Sequence, residues 1–184
     1  KPIIFYGTSI TQGATASRPG MAHTNIISRK LDRDVINFGF SGNGRMEQPI
    51  SKLISESNPI FYVIECMPNM SPDMITSNTI PLVDTIRNKP PNTPIILVDL
   101  FNSPLTALDN NIYKSRNEMN NALKTEYEKM IDNGYDNIIY LESRNSLGDD
   151  FEGTVDAVHF TDIGFNRYSN FLIKKFKEHK LIEN

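Results

Sequence analysis

Four short polar turns hold most of the residues in this 184-residue chain that are equipped to do chemistry. The first, Tyr6-Gly-Thr-Ser-Ile-Thr-Gln-Gly13, sets Ser9 among small residues that let the backbone turn sharply. The second, Asn37-Phe-Gly-Phe-Ser-Gly-Asn-Gly44, contains Gly42, whose backbone N–H has no Cβ to screen it from a ligand. The third, Glu65-Cys-Met-Pro-Asn-Met70, offers the side-chain amide of Asn69, and the fourth, Asp156-Ala-Val-His159, pairs a carboxylate with an imidazole. A serine hydroxyl is a weak nucleophile near neutral pH, so it needs an adjacent base, and that base needs an acceptor to fix its tautomer. The spacing lets Asp156 reach one ring nitrogen of His159 while the other faces Ser9. Attack on a carbonyl builds an oxyanion, and preorganised donors to it are worth about 3–4 kcal/mol each. The N–H groups of Ser9 and Gly42 and the Asn69 amide are the expected donors.

Turns of this kind must be fixed by regular elements. Apolar, β-branched runs at 2–6, 60–65, 94–99 and 137–141 read as buried strands, with a weaker one at 35–38. Helical periodicity fills 20–31, 46–57, 73–88, 112–132 and 162–178. Strands alternating with helices predict parallel strands joined by right-handed crossovers, hence a three-layer α/β/α sandwich with its ligand site beyond the strands' C-terminal ends. The proline-heavy stretch 88–94 reads as a loop entering a strand, and Thr161 as the cap of the last helix.

Composition narrows the partners. The formal net charge is −3 and the basic residues are scattered, which gives no footprint for nucleic acid. The apolar runs are far shorter than the roughly 20 residues needed to span a bilayer. A small molecule or glycan is the expected partner, with oligomeric state left open. Cys66 is the one cysteine, so no internal disulfide forms, and at the end of an apolar strand it reads as a packing residue. The histidines lie far apart in sequence, so no metal site and no cofactor are expected.

Ser9, Gly42, Asn69 and His159, in that chain order, resemble the four blocks of the SGNH (GDSL-like) hydrolases, a family of esterases, lipases and carbohydrate acetylesterases. The resemblance runs from residue 7 to 159 and implies a flavodoxin-like sandwich with a five-stranded parallel sheet. It further implies serine attack and the donors just named, with Asp156 as the aspartate of the Asp-x-x-His block. Two blocks depart from the family's usual form. The first reads Gly7-Thr-Ser-Ile10 in place of Gly-Asp-Ser, and the third reads Met67-Pro-Asn-Met70 in place of Gly-x-Asn-Asp. Met67, Pro68 and Met70 are therefore expected to reshape the substrate side of the site. The look of these blocks is similar to a bacterial subgroup with an upstream β-sandwich domain. The abrupt start at Lys1 suits a single hydrolase domain, 1–184, excised from such a chain, and the resemblance favours a periplasmic or secreted location.

Other readings compete at several positions. Arg45 is a substrate contact or a helix cap, while His23 is a structural residue that could also line the cleft. Asn69-Met-Ser71 fits a glycosylation sequon only formally, since the same asparagine is wanted as a donor. Two rival functions remain. In one, Thr8–Thr11 cradle a phosphate in a flavodoxin-like, FMN-binding protein; in the other, the fold serves as a catalytically dead carbohydrate-binding module. Neither gives work to all four turns. The expected activity is hydrolysis of short-chain esters, acetyl above all, on a carbohydrate through an acyl-enzyme.

Overall fold

The computed structural model describes residues 1–88 and 92–183, so residues 89–91 of the proline-heavy loop lie outside the described residues. Five strands, β1 (Ile3–Gly7), β2 (Val35–Gly39), β3 (Phe61–Glu65), β4 (Ile95–Val98) and β5 (Ile138–Leu141), form one sheet in the order β2-β1-β3-β4-β5. All four pairings are parallel. The helices are α1 (Ser9–Gln12), α2 (His23–Leu31), α3 (Gln48–Ser55), α4 (Pro72–Arg87), α5 (Pro104–Leu108), α6 (Asn110–Asp132) and α7 (Asp162–Glu178).

Strand residues alternate between two apolar layers, which is why the central strands read as unbroken apolar runs. Ile4, Tyr6, Tyr62, Ile64, Ile95 and Leu97 face one layer, where Ile54 of α3, Leu82 of α4 and Leu123 of α6 are fully buried. Ile3, Phe5, Phe61, Val63, Ile96 and Val98 face the other, against Ile27 of α2 and Phe165, Leu172 and Phe176 of α7. The expected α/β/α sandwich is therefore present. β2 gave a weaker signal because it is the edge strand, with Asn37 and the 39%-exposed Ile36 facing out of the core.

Three details differ from the periodicity. The helix read over 20–31 begins at His23, preceded by a 3-10 turn at Pro19–Met21. The short helices α1 and α5 carry too few turns to show a pattern. The segment 46–57 contracts to Gln48–Ser55 because Met46 sits at φ 60°, outside helical space.

Strand order reverses between β1 and β3, so a crevice opens where the chain leaves those two strands. The backbone is crowded there. A Cβ on Gly44 would stand 2.1 Å from the Gly7 carbonyl oxygen, and one on Gly39 would stand 2.1 Å from the Gln12 nitrogen. Gly39 thus lets the end of β2 touch the backbone of α1 directly. Gly39→Ala is expected to destabilise the fold by about 1–3 kcal/mol through this clash, a loss that urea unfolding would register as a lower midpoint at unchanged slope.

Candidate active site

Ser9 is the first residue of α1. Thr8 caps that helix, its hydroxyl accepting the Ile10 N–H at 3.3 Å, while Gly13 ends it at φ 94°. The Ser9 side chain is 7% exposed, with its hydroxyl 3.0 Å from His159 Nε2. On the far side of the ring, His159 Nδ1 lies 2.7 Å from Asp156 Oδ2. The other carboxylate oxygen accepts the backbone N–H groups of His159 at 2.7 Å and Val158 at 2.9 Å. Asp156 is fixed by the loop it belongs to, and Nδ1–H donation to it leaves Nε2 as the acceptor for the serine hydroxyl. The loop is closed at its base by the Val155 N–H bond to the His159 carbonyl, 2.9 Å, and is bent at Ala157, φ 66°.

Slight burial works to raise the Asp156 carboxyl. The hydrogen bonds from the His159 ring and from the two N–H groups outweigh it and hold the pKa at about 2.

The second turn lies across the end of β1. The Tyr6 hydroxyl donates to Glu47, whose carboxylate also accepts the Arg45 N–H at 2.7 Å. Burial pushes the Tyr6 phenol up, keeping it a donor. Gly42 is exposed, sits at φ 68°, and its N–H has no partner among the described residues. The Ser9 N–H, in the first turn of its helix, is likewise unpaired. Asn69 ends a 3-10 turn, Met67–Asn69, and donates one amide hydrogen to the Asn43 carbonyl, which ties the third turn to the second. The other amide hydrogen remains for a ligand.

The remaining candidates divide. Arg45 caps no helix and reaches back to the Gly42 carbonyl at 3.2 Å, bracing the turn. Met67 and Pro68 line a small cavity, described below. Met70 does not face the cleft; it is 7% exposed and packs into the core layer with Cys66 and Met67, because the chain turns inward to start α4. Nor does His23 line the cleft. It is fully buried between Phe5, Phe165 and Tyr168, with Nε2 3.0 Å from Glu65 Oε2. The sulfur of Cys66 is fully buried, and burial pushes its thiol well up, as suits a packing residue. The phosphate-cradle reading loses its hydroxyls: Thr8 caps α1 and Thr11 donates to Glu65 at 2.9 Å.

Two spaces are lined by chain neighbours of the site residues, though not by Ser9 itself. A cavity of about 20 Å³ is lined by Ile10, Met67, Pro68, Phe101 and Phe160, together with the buried polar groups of Glu65, Asp99 and Tyr168. Ile10, Pro68 and Phe160 are the chain neighbours of Ser9, Asn69 and His159. Sharing its Pro68–Leu100–Phe101 wall is an open groove of about 390 Å³, bounded by Val158 and by Ile112, Ser115 and Arg116 of α6. Arg116 lies over the Phe101 ring, 5.3 Å from its centroid, and bonds the Phe101 carbonyl at 3.0 Å. Glu65 heads the third turn with no role of its own legible there, and Phe101 and Arg116 carry no sequence signal, since their place in the site depends on contacts between distant segments. Among the described residues no helix is long and apolar enough to cross a membrane.

Comparison with known proteins gives concordant findings. The family model of the GDSL-like lipase/acylhydrolase family matches residues 1–177. A Bacteroides ovatus protein named as a GDSL-like lipase superimposes with a TM-score of 0.95 at 33% identity, covering 100% of this chain and 54% of that one. The salicylyl-acyltransferase SsfX3 of a tetracycline biosynthetic pathway gives 0.84 at 18% identity, over 98% of this chain and 55% of that one. A family two carbohydrate esterase of Clostridium thermocellum, solved as an active-site mutant, gives 0.73 at 14% identity, over 97% and 63%. This chain spans about half the length of the first two. A search of curated proteins finds no match.

The depressed carboxyl has a sign that solution work can read. Asp156 titrates at about 2 in the fold against an ordinary 3.8, so the stability it confers is complete above pH 3.8 and fades as the pH falls towards 2. Asp156→Asn is expected to flatten the decline of Tm with acid across that window. At neutral pH the same variant should lower kcat by about 10²–10⁴-fold with little change in KM.

Proposed function

Because the chain belongs to the GDSL-like lipase/acylhydrolase family, we propose that it is a serine esterase that hydrolyses short-chain esters, acetyl above all, of a carbohydrate or similar alcohol. The observation that carries this reading is the unbroken hydrogen-bonded series from Ser9 through His159 to Asp156, at 3.0 and 2.7 Å.

In this reading the Ser9 oxygen attacks the ester carbonyl carbon as its proton passes to His159 Nε2. Asp156 stabilises the imidazolium and holds the ring in place. The carbonyl oxygen, now anionic, is received by the unpaired N–H groups of Ser9 and Gly42 and by the Asn69 amide. Collapse of the tetrahedral species breaks the bond to the alkoxy oxygen, which leaves as the alcohol with the proton from His159. A water molecule then gives its proton to His159 and its oxygen to the acyl carbon, releasing the acid and restoring Ser9.

The acyl preference rests on the small size of the cavity lined by Ile10, Pro68 and Phe160, the chain neighbours of Ser9, Asn69 and His159. The 20 Å³ cavity has room for a group about the size of a methyl, and its wall of Ile10, Met67, Phe101 and Phe160 is apolar. The larger open groove is mainly apolar, lined by Pro68, Leu100, Phe101, Ile112, Met119 and Val158, with Asn111, Ser115 and Arg116 as its polar residues, and it leaves room for the alcohol portion. The carbohydrate esterase among the similar structures agrees with such a substrate.

A nitrophenyl ester series from acetyl to octanoyl tests both halves of the reading. The wild type should prefer acetyl over octanoyl in kcat/KM by at least about tenfold, and Ser9→Ala should lose at least about 10³-fold in kcat. Octanoyl preference would overturn the acyl assignment, and activity surviving in Ser9→Ala would overturn the nucleophile.

A further inference from the structure

A second open cavity, of about 290 Å³, lies at the same end of the sheet, between the segment after β4 and the loop after β5. It stands beside the groove described above, because Asn102 and Tyr113 line it while their chain neighbours Phe101 and Ile112 line the groove. Its wall is polar in an unusual way. Ser103 is 2% exposed, and its buried hydroxyl has no hydrogen-bond partner among the described residues, although it occupies the N-cap of α5. Thr154, which also lines the cavity, has a buried, unpaired hydroxyl, and so does the 3%-exposed Ser146 in the same loop. Buried hydroxyls are nearly always paired, so unpaired ones beside a cavity point to a water or a ligand that is not part of the chain.

The mouth is of a different kind. Tyr113, 44% exposed, and Phe151, 59% exposed, both border it. Phe151 has φ 62°, a conformation that bulky residues rarely adopt, so its ring is presented outward at an energetic cost. One cation, Arg144, and one anion, Asp149, share the lining, so the cavity has no excess charge with which to select an ion. The loop is preformed. Arg167 of α7 grips both Asp150 carboxylate oxygens at 2.6 and 2.7 Å and the Leu147 carbonyl at 2.9 Å.

We propose that this cavity is a binding subsite for a neutral saccharide ring. A pyranose offers hydroxyls that both donate and accept, matching Ser103 and Thr154, and an apolar C–H face that packs on an aromatic ring such as Tyr113 or Phe151. A glycan held here would extend past the Phe101–Ile112 segment towards Ser9. As a guide for the alcohol part of the substrate the subsite builds on the esterase reading, but binding itself needs no turnover.

The test is therefore made in Ser9→Ala protein by isothermal titration with cellotriose, xylotriose and mannotriose. At least one should bind with Kd in the millimolar range or below. Adding Tyr113→Ala and Phe151→Ala, both surface changes expected to leave Tm unaltered, should weaken it at least about tenfold. Thr154→Val should weaken it severalfold. With Ser9 intact, the Tyr113→Ala/Phe151→Ala pair should hydrolyse nitrophenyl acetate within about twofold of the wild type, since neither ring borders the serine. Absence of binding by all three sugars, or binding undiminished in the double variant, would overturn the subsite. Sugar binding by a protein whose wild type hydrolyses no ester would overturn the esterase reading and leave the subsite standing.

Discussion

Beneath the serine, the carboxyl group of Glu65 joins parts of the chain that are otherwise far apart. It lies at the end of β3, 7% exposed, and receives Thr11 of α1 at 2.9 Å, His23 of α2 at 3.0 Å and Tyr168 of α7 at 2.7 Å. A carboxyl group taken out of water is strongly unfavourable unless its oxygens are occupied, so the three donors are required rather than incidental. The requirement works in both directions. Burial, and then the neighbouring carboxylate, push the Tyr168 phenol well up and keep it a donor. Through this one group, the helix that carries Ser9 is referenced to the helix that follows the His159 loop.

The rest of the crevice is held by close backbone approaches. Gly39 and Gly44 let the ends of β2 and its following turn rest on α1 and on Gly7. Asn69 joins the third turn to the second through the Asn43 carbonyl. The result is a frame in which the donors proposed for the oxyanion are positioned by main-chain approaches together with side-chain bonds to the main chain, between Thr8 and the Ile10 N–H, between Arg45 and the Gly42 carbonyl and between Asn69 and the Asn43 carbonyl.

Much of this was legible in the amino-acid sequence, for identifiable reasons. The strands at 60–65 and 94–99 stood out because both of their faces are buried, and the four turns stood out because small and polar residues there interrupt apolar runs. Asp156 and His159 were legible because their pairing is local. What was not legible depends on long-range contact. His23 looks like one more polar residue at the start of a helix, and only the fold reveals that Glu65 awaits it. Met70 reads as a residue facing a ligand until α4 is seen to draw it inward. Arg116 sits in a long, mostly polar helix where nothing distinguishes the face that closes over Phe101.

The hydroxyl of Ser9 and the imidazole of His159 are separated by 150 positions in the chain yet meet at 3.0 Å. Parallel strands delay contacts of this length, since each crossover must close a large loop before it gains any pairing. In the esterase reading, the serine therefore remains an ordinary alcohol during folding until the C-terminal segment has docked. Its reactivity would then arise only with the last tertiary contacts, and a partly folded chain would be no more able to acylate itself than a random serine peptide.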